Sequence, residues 1–158
     1  GCRIKLLGRA IRQGDKVCAY VAPHLVPDSD PLAGVEDVFN AVAMTGNAVG
    51  DVMFYGRGAG KLPTASAVVA DVIAAARQMD RAGYRPWQPN RPDAVFSPDE
   101  LSSQWYVRLA SGELAGEKLT VPNAEAGESG WITAAMTRPE LDKLLAGRDV
   151  LAVIRVLD

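Results

Sequence analysis

The stretch that decides the fold covers residues 50–73 and reads GDVMFYGRGAGKLPTASAVVADVI. An apolar run that predicts a strand ends at Tyr55, and glycines then occupy every second position, at Gly56, Gly58 and Gly60. A Pro-Thr pair and an apolar helical pattern follow. A strand, a glycine loop and a helix start in this order allow the backbone to approach a ligand closely. The free N–H groups of the helix start favour a negative or polar group there.

Two familiar glycine motifs do not fit this loop. A phosphate-binding P-loop reads G-x-x-x-x-G-K-[ST], whereas only three residues separate Gly56 from Gly60, and Leu62 takes the place of the hydroxyl residue. A Rossmann fingerprint reads G-x-G-x-x-G, and Lys61 stands at the position of its last glycine. The loop therefore belongs to neither of these classes of nucleotide-binding motif.

A different pattern does match. Residues 55–71 read Tyr-Gly-x-Gly-Ala-Gly-x-x-Pro-Thr-Ala-x-x-Val-x-x-Asp, which resembles the C-terminal signature of homoserine dehydrogenases. The resemblance extends upstream through His-Leu-Val-Pro at 24–27, Pro-Leu at 31–32, Phe-Asn-Ala-Val at 39–42 and the glycine-bounded segment 46–50. It covers about the first half of the chain.

The resemblance implies an oxidoreductase that interconverts L-homoserine and L-aspartate 4-semialdehyde by hydride transfer, on the route to threonine and methionine. It implies NAD or NADP as the cofactor, and Gly56, Gly58 and Gly60 as cofactor-side contacts, with Gly60 the strongest candidate. From the residues alone, the glycines would serve only a tight crossing of strand and helix. Thr64 precedes the apolar periodicity and is predicted to cap the helix.

Two parts of the family pattern are not found in the sequence. No segment resembles the dinucleotide-binding domain, and no run matches the Gly-Leu-Asp-x-x-x-Lys helix that carries the family's catalytic lysine. Lys5 lies in a strand-like context, so it is not assigned that role. We therefore expect the C-terminal part of a longer enzyme, inactive by itself and without a catalytic residue of its own.

Composition narrows the class of protein further. The chain has 158 residues, 48% hydrophobic and 23% charged, as in ordinary globular domains. A formal net charge of −2 gives no basic surface for nucleic acid. No apolar run approaches the roughly 20 residues that cross a membrane. Cys2 and Cys18 lie far apart along a predicted hairpin, which argues against a disulfide and favours a reducing cytoplasm.

Periodicity predicts an α+β protein with an antiparallel or mixed sheet. The predicted strands are 3–12, 16–26, 39–45, 48–55, 105–109, 118–121, 131–136 and 150–157, with turns at residues 13–15 and at Gly46-Asn47. One helix is predicted over 64–81, and a second begins at a capping box, Thr137 to Glu140, and ends before Gly147. The first helix is predicted to carry its apolar face at Val68, Val69, Val72, Ile73 and Ala76, with Arg77, Arg81 and Gly83 as signals of its C-terminal end. Asp30 is predicted to cap a short helical turn that starts at Pro31.

The order of elements in the second half, strand, loop, strand, strand, helix, strand, is similar to a shortened ACT domain. The usual Asp-x-Pro-Gly turn and first helix of that module are replaced by residues 110–116, ASGELAG. This departure argues against binding of an amino-acid effector in the usual manner. The predicted domains are 1–83 (homoserine dehydrogenase substrate domain), 84–102 (Pro-rich linker) and 103–158 (ACT-like regulatory or dimerisation domain).

Two functional hypotheses remain open for the chain. In the first, it is the C-terminal fragment of a homoserine dehydrogenase, with homoserine and a nicotinamide cofactor as partners of the full-length homodimer. In the second, residues 103–158 form a non-catalytic module that senses an amino acid or pairs subunits through open strand edges.

Other chemically interesting side chains have simpler explanations. His24 is the single histidine, and no second His or Cys completes a metal site with it. The acidic residues between 28 and 37 are interpreted as a helix cap and a solvated face, not as an acid–base cluster. Trp105, Tyr106 and Trp131 are predicted to be core or interface residues, and Trp87 to anchor the linker.

Overall fold

The computed structural model describes residues 1–79, 89 and 91–157. The strands are β1 (Cys2–Gln13), β2 (Lys16–Pro27), β3 (Phe39–Gly46), β4 (Gly50–Arg57), β5 (Trp105–Leu109), β6 (Glu117–Leu119), β7 (Ser129–Ile132) and β8 (Val150–Val156). The helices are α1 (Lys61–Gln78) and α2 (Arg138–Leu145), with 3₁₀ turns at Pro31–Gly34, Pro92–Ala94 and Pro98–Glu100. The predicted α+β class is confirmed.

A long antiparallel hairpin of β1 and β2 opens the chain. Its register runs from Cys2 opposite Pro27 to Gln13 opposite Lys16. Gly14 occupies the turn with a φ of +59°, a conformation that two-residue hairpin loops require and that glycine adopts without strain. The hairpin and its turn lie where the sequence predicts them, and both cysteines are free.

This hairpin belongs to a six-stranded sheet with the order β1-β2-β8-β5-β7-β6. Neighbouring strands are antiparallel except for β2 and β8, which run parallel with His24 opposite Arg155 and Leu25 opposite Val156. The sheet is therefore mixed, and its single parallel junction joins strands from opposite ends of the chain.

The hydrophobic core lies between the C-terminal strands and α2. It consists of Trp105, Val107, Leu109, Leu114, Trp131, Leu141 and Leu145. Alternate residues of β5 are fully buried, which is the period-two pattern of a strand with one face on the core. Trp105 and Trp131 are core residues, as predicted, while Tyr106 points to the opposite face and is half-buried.

The start and end of α2 follow the predicted capping signals. The Oε2 atom of Glu140 accepts hydrogen bonds from the N–H and the hydroxyl of Thr137, each 2.8 Å long. Pro139 lies in the first turn, where its missing N–H is not needed. Gly147 follows the helix with a φ of +76°. The capping box therefore fixes the register that buries Leu141 and Leu145.

Residues 30–89 form a separate compact unit. Asp30 caps the 3₁₀ turn as predicted, because its Oδ1 accepts a 2.7 Å hydrogen bond from the N–H of Leu32. In the β3–β4 hairpin, Gly46 pairs with Gly50, so the turn consists of residues 47–49 and not of Gly46 and Asn47 as predicted. Gly50, with a φ of +72°, supplies the left-handed residue that closes this longer turn.

The helix of this unit, α1, exposes its apolar residues. The stripe predicted at Val68, Val69, Val72 and Ile73 is present, but these side chains are 46–62% exposed. No residue of α1 is buried within the part of the chain that the structure describes. The helix ends at Gln78, and the predicted C-terminal signals at Arg81 and Gly83 lie outside the described residues.

The compact units divide the chain differently from the predicted domains. One unit combines Gly1–Ser29 with Asn90–Asp158, and the other is Asp30–Pro89. The predicted boundaries place β1 and β2 with the glycine loop, whereas these strands share a sheet with β5 to β8. Local patterns do not report this pairing, because it joins residues far apart in sequence. Trp87 and part of the predicted linker lie outside the described residues.

Candidate functional site

The glycine loop connects β4 to α1 within residues 30–89. α1 begins at Lys61 with Gly60 as its N-cap, and the N–H of Thr64 donates the first helical hydrogen bond to the Gly60 carbonyl at 3.1 Å. The prediction that Thr64 caps the helix is therefore wrong. The apolar periodicity begins after Thr64, but the helix starts one turn earlier, where Pro63 is tolerated because no N–H is needed for an intrahelical bond.

Gly58 is required by the close approach of β3. A β-carbon built at Gly58 would overlap the Nδ2 atom of Asn40 and lie 3.2 Å from the Asn40 β-carbon. The Gly58 N–H donates to the Val38 carbonyl at 3.3 Å, so the loop is held against the start of β3. The tight crossing of the loop and β3 therefore explains why glycine occupies this position.

Gly60 is required by its own backbone. Its φ is +114° and its ψ is +155°, a conformation that L side chains rarely adopt. Space is not the limiting factor, since the nearest atom to an added β-carbon is Pro63 Cδ at 3.6 Å. The conformation turns the chain sharply from the loop into α1.

Gly56 has neither constraint. No described atom lies within 4 Å of an added β-carbon, and its φ is not in the left-handed region. It lies in β4 opposite Asn40. Among the three loop glycines, it is the one at which neither a described neighbour nor the backbone conformation requires glycine, and space for a side chain or a ligand lies beside it.

The chemistry available at the loop is that of polar backbone groups with a nearby cation. The N–H groups of Lys61 and Leu62 belong to the first turn of α1, where an N–H has no intrahelical acceptor. The Lys61 ammonium adds positive charge at the positive end of the helix dipole. A negatively charged or polar group of a ligand is suited to such a surface.

The structure does not bring the acidic residues of the 28–37 region into a catalytic cluster. Asp28 forms an exposed ion pair with Arg3, with 3.5 Å between Oδ1 and Nε, and Asp30 serves as the turn cap. Asp37 is exposed with a φ of +56°. Among residues 1–79, 89 and 91–157, no group of three or more His, Cys, Asp or Glu side chains could hold a metal ion.

His24 is fully buried and hydrogen-bonded. Its Nδ1 lies 2.9 Å from the Ala22 carbonyl, and its Nε2 lies 3.1 Å from the Tyr20 hydroxyl. Because a carbonyl can only accept, His24 Nδ1 donates to the Ala22 carbonyl. This arrangement matches the structural role that the sequence predicts for the histidine.

Sequence reasoning missed Arg155, a charged side chain within the apolar β8. It is 6% exposed and donates hydrogen bonds to Ser103 Oγ and to the Pro98 carbonyl. Burial lowers the pKa of its guanidinium. The sequence shows only an arginine between two branched apolar residues, Ile154 and Val156. That pattern does not say whether the guanidinium is buried, because burial depends on the segments that pack against it.

Comparison with known proteins identifies the family. Residues 1–73 match the family model described as homoserine dehydrogenase. The homoserine dehydrogenase of Neisseria gonorrhoeae is 37% identical over 153 residues, 92% of this chain and 35% of that protein. That of Bacillus subtilis is 38% identical over 133 residues, 82% of this chain and 31% of that protein.

Solved structures agree. A homoserine dehydrogenase from Thiobacillus denitrificans aligns over 100% of this chain and 43% of its own, with a TM-score of 0.79 and 28% identity. The S. aureus homoserine dehydrogenase at pH 7.0 aligns over 100% of this chain and 42% of its own, with a TM-score of 0.70 and 30% identity. The chain belongs to the homoserine dehydrogenase family, and it spans about a third of the length of the curated relatives it matches. No helix in its described residues is long and apolar enough to cross a membrane.

Proposed function

We propose that this chain is the part of an NAD(P)-dependent homoserine dehydrogenase that presents the glycine loop to the nicotinamide cofactor. The observation that supports the proposal is the open space beside Gly56, where no described atom lies within 4 Å of an added β-carbon, in a loop that lies inside the matched residues 1–73. The reaction is the oxidation of L-homoserine to L-aspartate 4-semialdehyde and its reverse. It places the protein in the biosynthesis of threonine and methionine in the cytoplasm.

The contribution of these residues to the reaction is positioning. The cofactor, when bound, accepts the hydride that leaves the hydroxyl-bearing carbon of homoserine, while the hydroxyl proton goes to a base. In this proposal, the loop backbone orients the cofactor, and the glycine at position 56 lets the main chain approach it. Gly58 and Gly60 keep the loop in shape, by accommodating Asn40 and by turning the chain into α1.

The proposal also states that residues 1–158 alone do not catalyse the reaction. Neither a dinucleotide-binding segment nor the family's lysine motif is found in the sequence. The purified chain is expected to show no homoserine-dependent reduction of NAD⁺ or NADP⁺, while the full-length parent protein shows it. Turnover by the isolated chain above the buffer rate would overturn this part of the proposal.

The cofactor contact is tested by Gly56→Ala in the parent enzyme, with Gly34→Ala as the matched control. Both glycines have open space around the added β-carbon and neither has a left-handed φ, so both substitutions leave the fold intact. We expect Gly56→Ala to raise the KM for the cofactor roughly tenfold, as for one lost contact, and Gly34→Ala to leave it unchanged. Equal KM values for both variants would show that the open position does not face the cofactor.

A second candidate function concerns residues 103–157. β6 is a three-residue strand at the edge of the six-stranded sheet, so its outer edge is open to pairing within the described residues. This observation favours a subunit-pairing role for the ACT-like part and a homodimeric enzyme. Sedimentation of the chain with and without Lys118→Pro tests it, because proline removes an edge N–H. A monomer in both cases would reject pairing through β6.

A further inference from the structure

The parallel junction between β2 and β8 is narrow compared with the rest of the sheet. Its register consists of His24 opposite Arg155 and Leu25 opposite Val156. One more backbone hydrogen bond extends it, from the Leu157 N–H to the Leu25 carbonyl at 2.9 Å. By contrast, β1 and β2 pair along twelve residues each. Backbone pairing alone gives this junction little resistance to opening.

Arg155 is held on the C-terminal side of the junction by three contacts, to β5 and to the residues that precede it. Its Nη1 donates to Ser103 Oγ at 2.7 Å, and its Nη2 donates to the Pro98 carbonyl at 2.6 Å. The guanidinium lies 4.3 Å from the centre of the Trp105 ring, within cation–π range. Within the described residues, Arg155 forms no ion pair with a carboxylate. Its burial is compensated by hydrogen bonds and an aromatic face, both of which require one fixed position.

Tyr20 connects this arginine to the hairpin. The Arg155 guanidinium lies 5.4 Å from the centre of the Tyr20 ring, and the Tyr20 hydroxyl lies 3.1 Å from His24 Nε2. His24 is the residue that pairs with Arg155 across the junction. Tyr20 is therefore the β2 side chain that contacts Arg155 across the short parallel ladder.

We propose that Arg155 holds the β2–β8 junction closed and that this junction opens as a local unit while the core around β5, β7 and α2 stays folded. A narrow ladder that depends on one buried side chain has a lower opening free energy than the sheet on either side.

Native-state amide hydrogen exchange on this chain tests the opening, with Arg155→Met as the main variant. The matched control is Arg138→Met, which removes another cation near the Trp105 ring, 5.8 Å from its centre, from an exposed position on α2. We expect Arg155→Met to accelerate exchange of the Leu157 amide roughly ten- to a hundredfold, as for lost charge-assisted hydrogen bonds. The Thr133 amide, bonded to the Trp105 carbonyl in the core, is expected to keep its rate.

Two outcomes would overturn the proposal. Equal acceleration of the Leu157 and Thr133 amides would mean that Arg155 stabilises the unit as a whole, and no acceleration at Leu157 would mean that the junction does not depend on it. If Arg155→Met does not fold, Tyr20→Phe keeps the ring and removes the hydroxyl, and it is expected to accelerate Leu157 selectively but less. These rates need no catalysis, so their failure is distinguishable from failure of the proposed function.

Discussion

The C-terminal part of the sheet and the unit of residues 30–89 both contain strands and a helix, but they differ in how many apolar side chains these elements bury. β5, β7 and α2 bury a continuous apolar core of their own. The helix α1 is more than twice as long as α2, yet no residue of it is buried. An apolar stripe is present on the helix in both regions. Within the described residues, only the stripe of α2 is covered by other apolar side chains.

The second unit exposes many apolar side chains within the described residues. Besides the stripe on α1, its exposed apolar side chains include Val42, Met44, Val49, Met53, Phe54, Tyr55 and Leu62. A two-stranded hairpin is marginally stable by itself and needs a further apolar surface. The chain spans about a third of its relatives' length. These observations agree with the proposal that this unit forms part of a larger substrate domain.

The largest expected effect distinguishes a leucine in each region. Leu141→Ala in α2 removes a fully buried side chain, and we expect it to lower the free energy of unfolding by about 2–5 kcal/mol. Leu62→Ala in α1 removes a side chain that is 79% exposed, and its effect is expected to stay within about 0.5 kcal/mol. Urea denaturation followed by tryptophan fluorescence and far-UV circular dichroism measures both.

This pair of variants tests directly whether the two regions differ in packing. A loss at Leu62 as large as that at Leu141 would mean that α1 is packed in solution, within the chain or against a second copy. Concentration dependence of the transition then separates the two cases, because association makes stability depend on protein concentration.

A smaller effect is expected at the glycine loop, where packing within the second unit is tight. Gly58→Ala forces a β-carbon into Asn40, and we expect a loss of about 1–3 kcal/mol. Adding Asn40→Ala removes the overlapping amide and should restore most of that loss, although the two β-carbons stay 3.2 Å apart. A double-mutant cycle measures the coupling. Additive losses would mean that the cost of a side chain at position 58 does not come from overlap with Asn40.

The third prediction concerns pH and the cap of α2. Hydrogen bonds from the N–H and hydroxyl of Thr137 lower the pKa of Glu140 below its ordinary value. A carboxyl group with a lowered pKa in the folded state stabilises the protein above its unfolded pKa, and this stabilisation is lost as the pH falls through the folded pKa. We expect Glu140→Gln to flatten that acid-side loss and to lower stability at pH 7.

The measurement is the urea midpoint from pH 7 down to pH 3 for the wild type and for Glu140→Gln. Glu117→Gln provides a control, because this glutamate is exposed at the edge strand β6. The hydrogen bond from Arg108 also lowers the pKa of Glu128, so this carboxyl group contributes to the loss of stability in acid as well. For that reason the difference between variants, and not the wild-type curve, is the quantity to compare. Parallel curves for the wild type and Glu140→Gln would contradict the prediction.

The elements that the sequence predicts well are those with a complete local code. The Gly14 turn, the Asp30 cap and the capping box of α2 lie where backbone chemistry places them. Thr64 was assigned wrongly because Gly60 forms the cap by its backbone conformation, which leaves no side-chain signature. The sequence does not predict the pairing of β2 with β8, because no residue pattern in either strand indicates which strand lies beside it.

The candidate site shows the same division. The glycine spacing and the resemblance locate the loop, but they rank Gly60 above Gly56 as the contact. The closeness of Asn40 requires glycine at position 58, and the backbone conformation requires it at position 60. Nothing in the described residues requires glycine at position 56. Which glycine faces a ligand depends on the position of Asn40 and on a φ angle, and neither can be read from the spacing. The role of all three in cofactor binding stays a prediction.

The smallest expected effect is the most informative about α1. Val72→Ser on its exposed stripe is expected to change the stability of this chain by less than about 0.5 kcal/mol, because the side chain is already in water. The same substitution in the full-length parent is expected to lose about 1–2 kcal/mol if the stripe is covered there, since burial of a valine side chain contributes that much. Thermal or urea unfolding of both proteins compares the two values. Ala70→Ser on the same helix serves as the control for helix propensity. An equally small effect of Val72→Ser in the parent would mean that the stripe faces solvent even in the complete enzyme, and α1 would then not be an internal helix of the substrate domain.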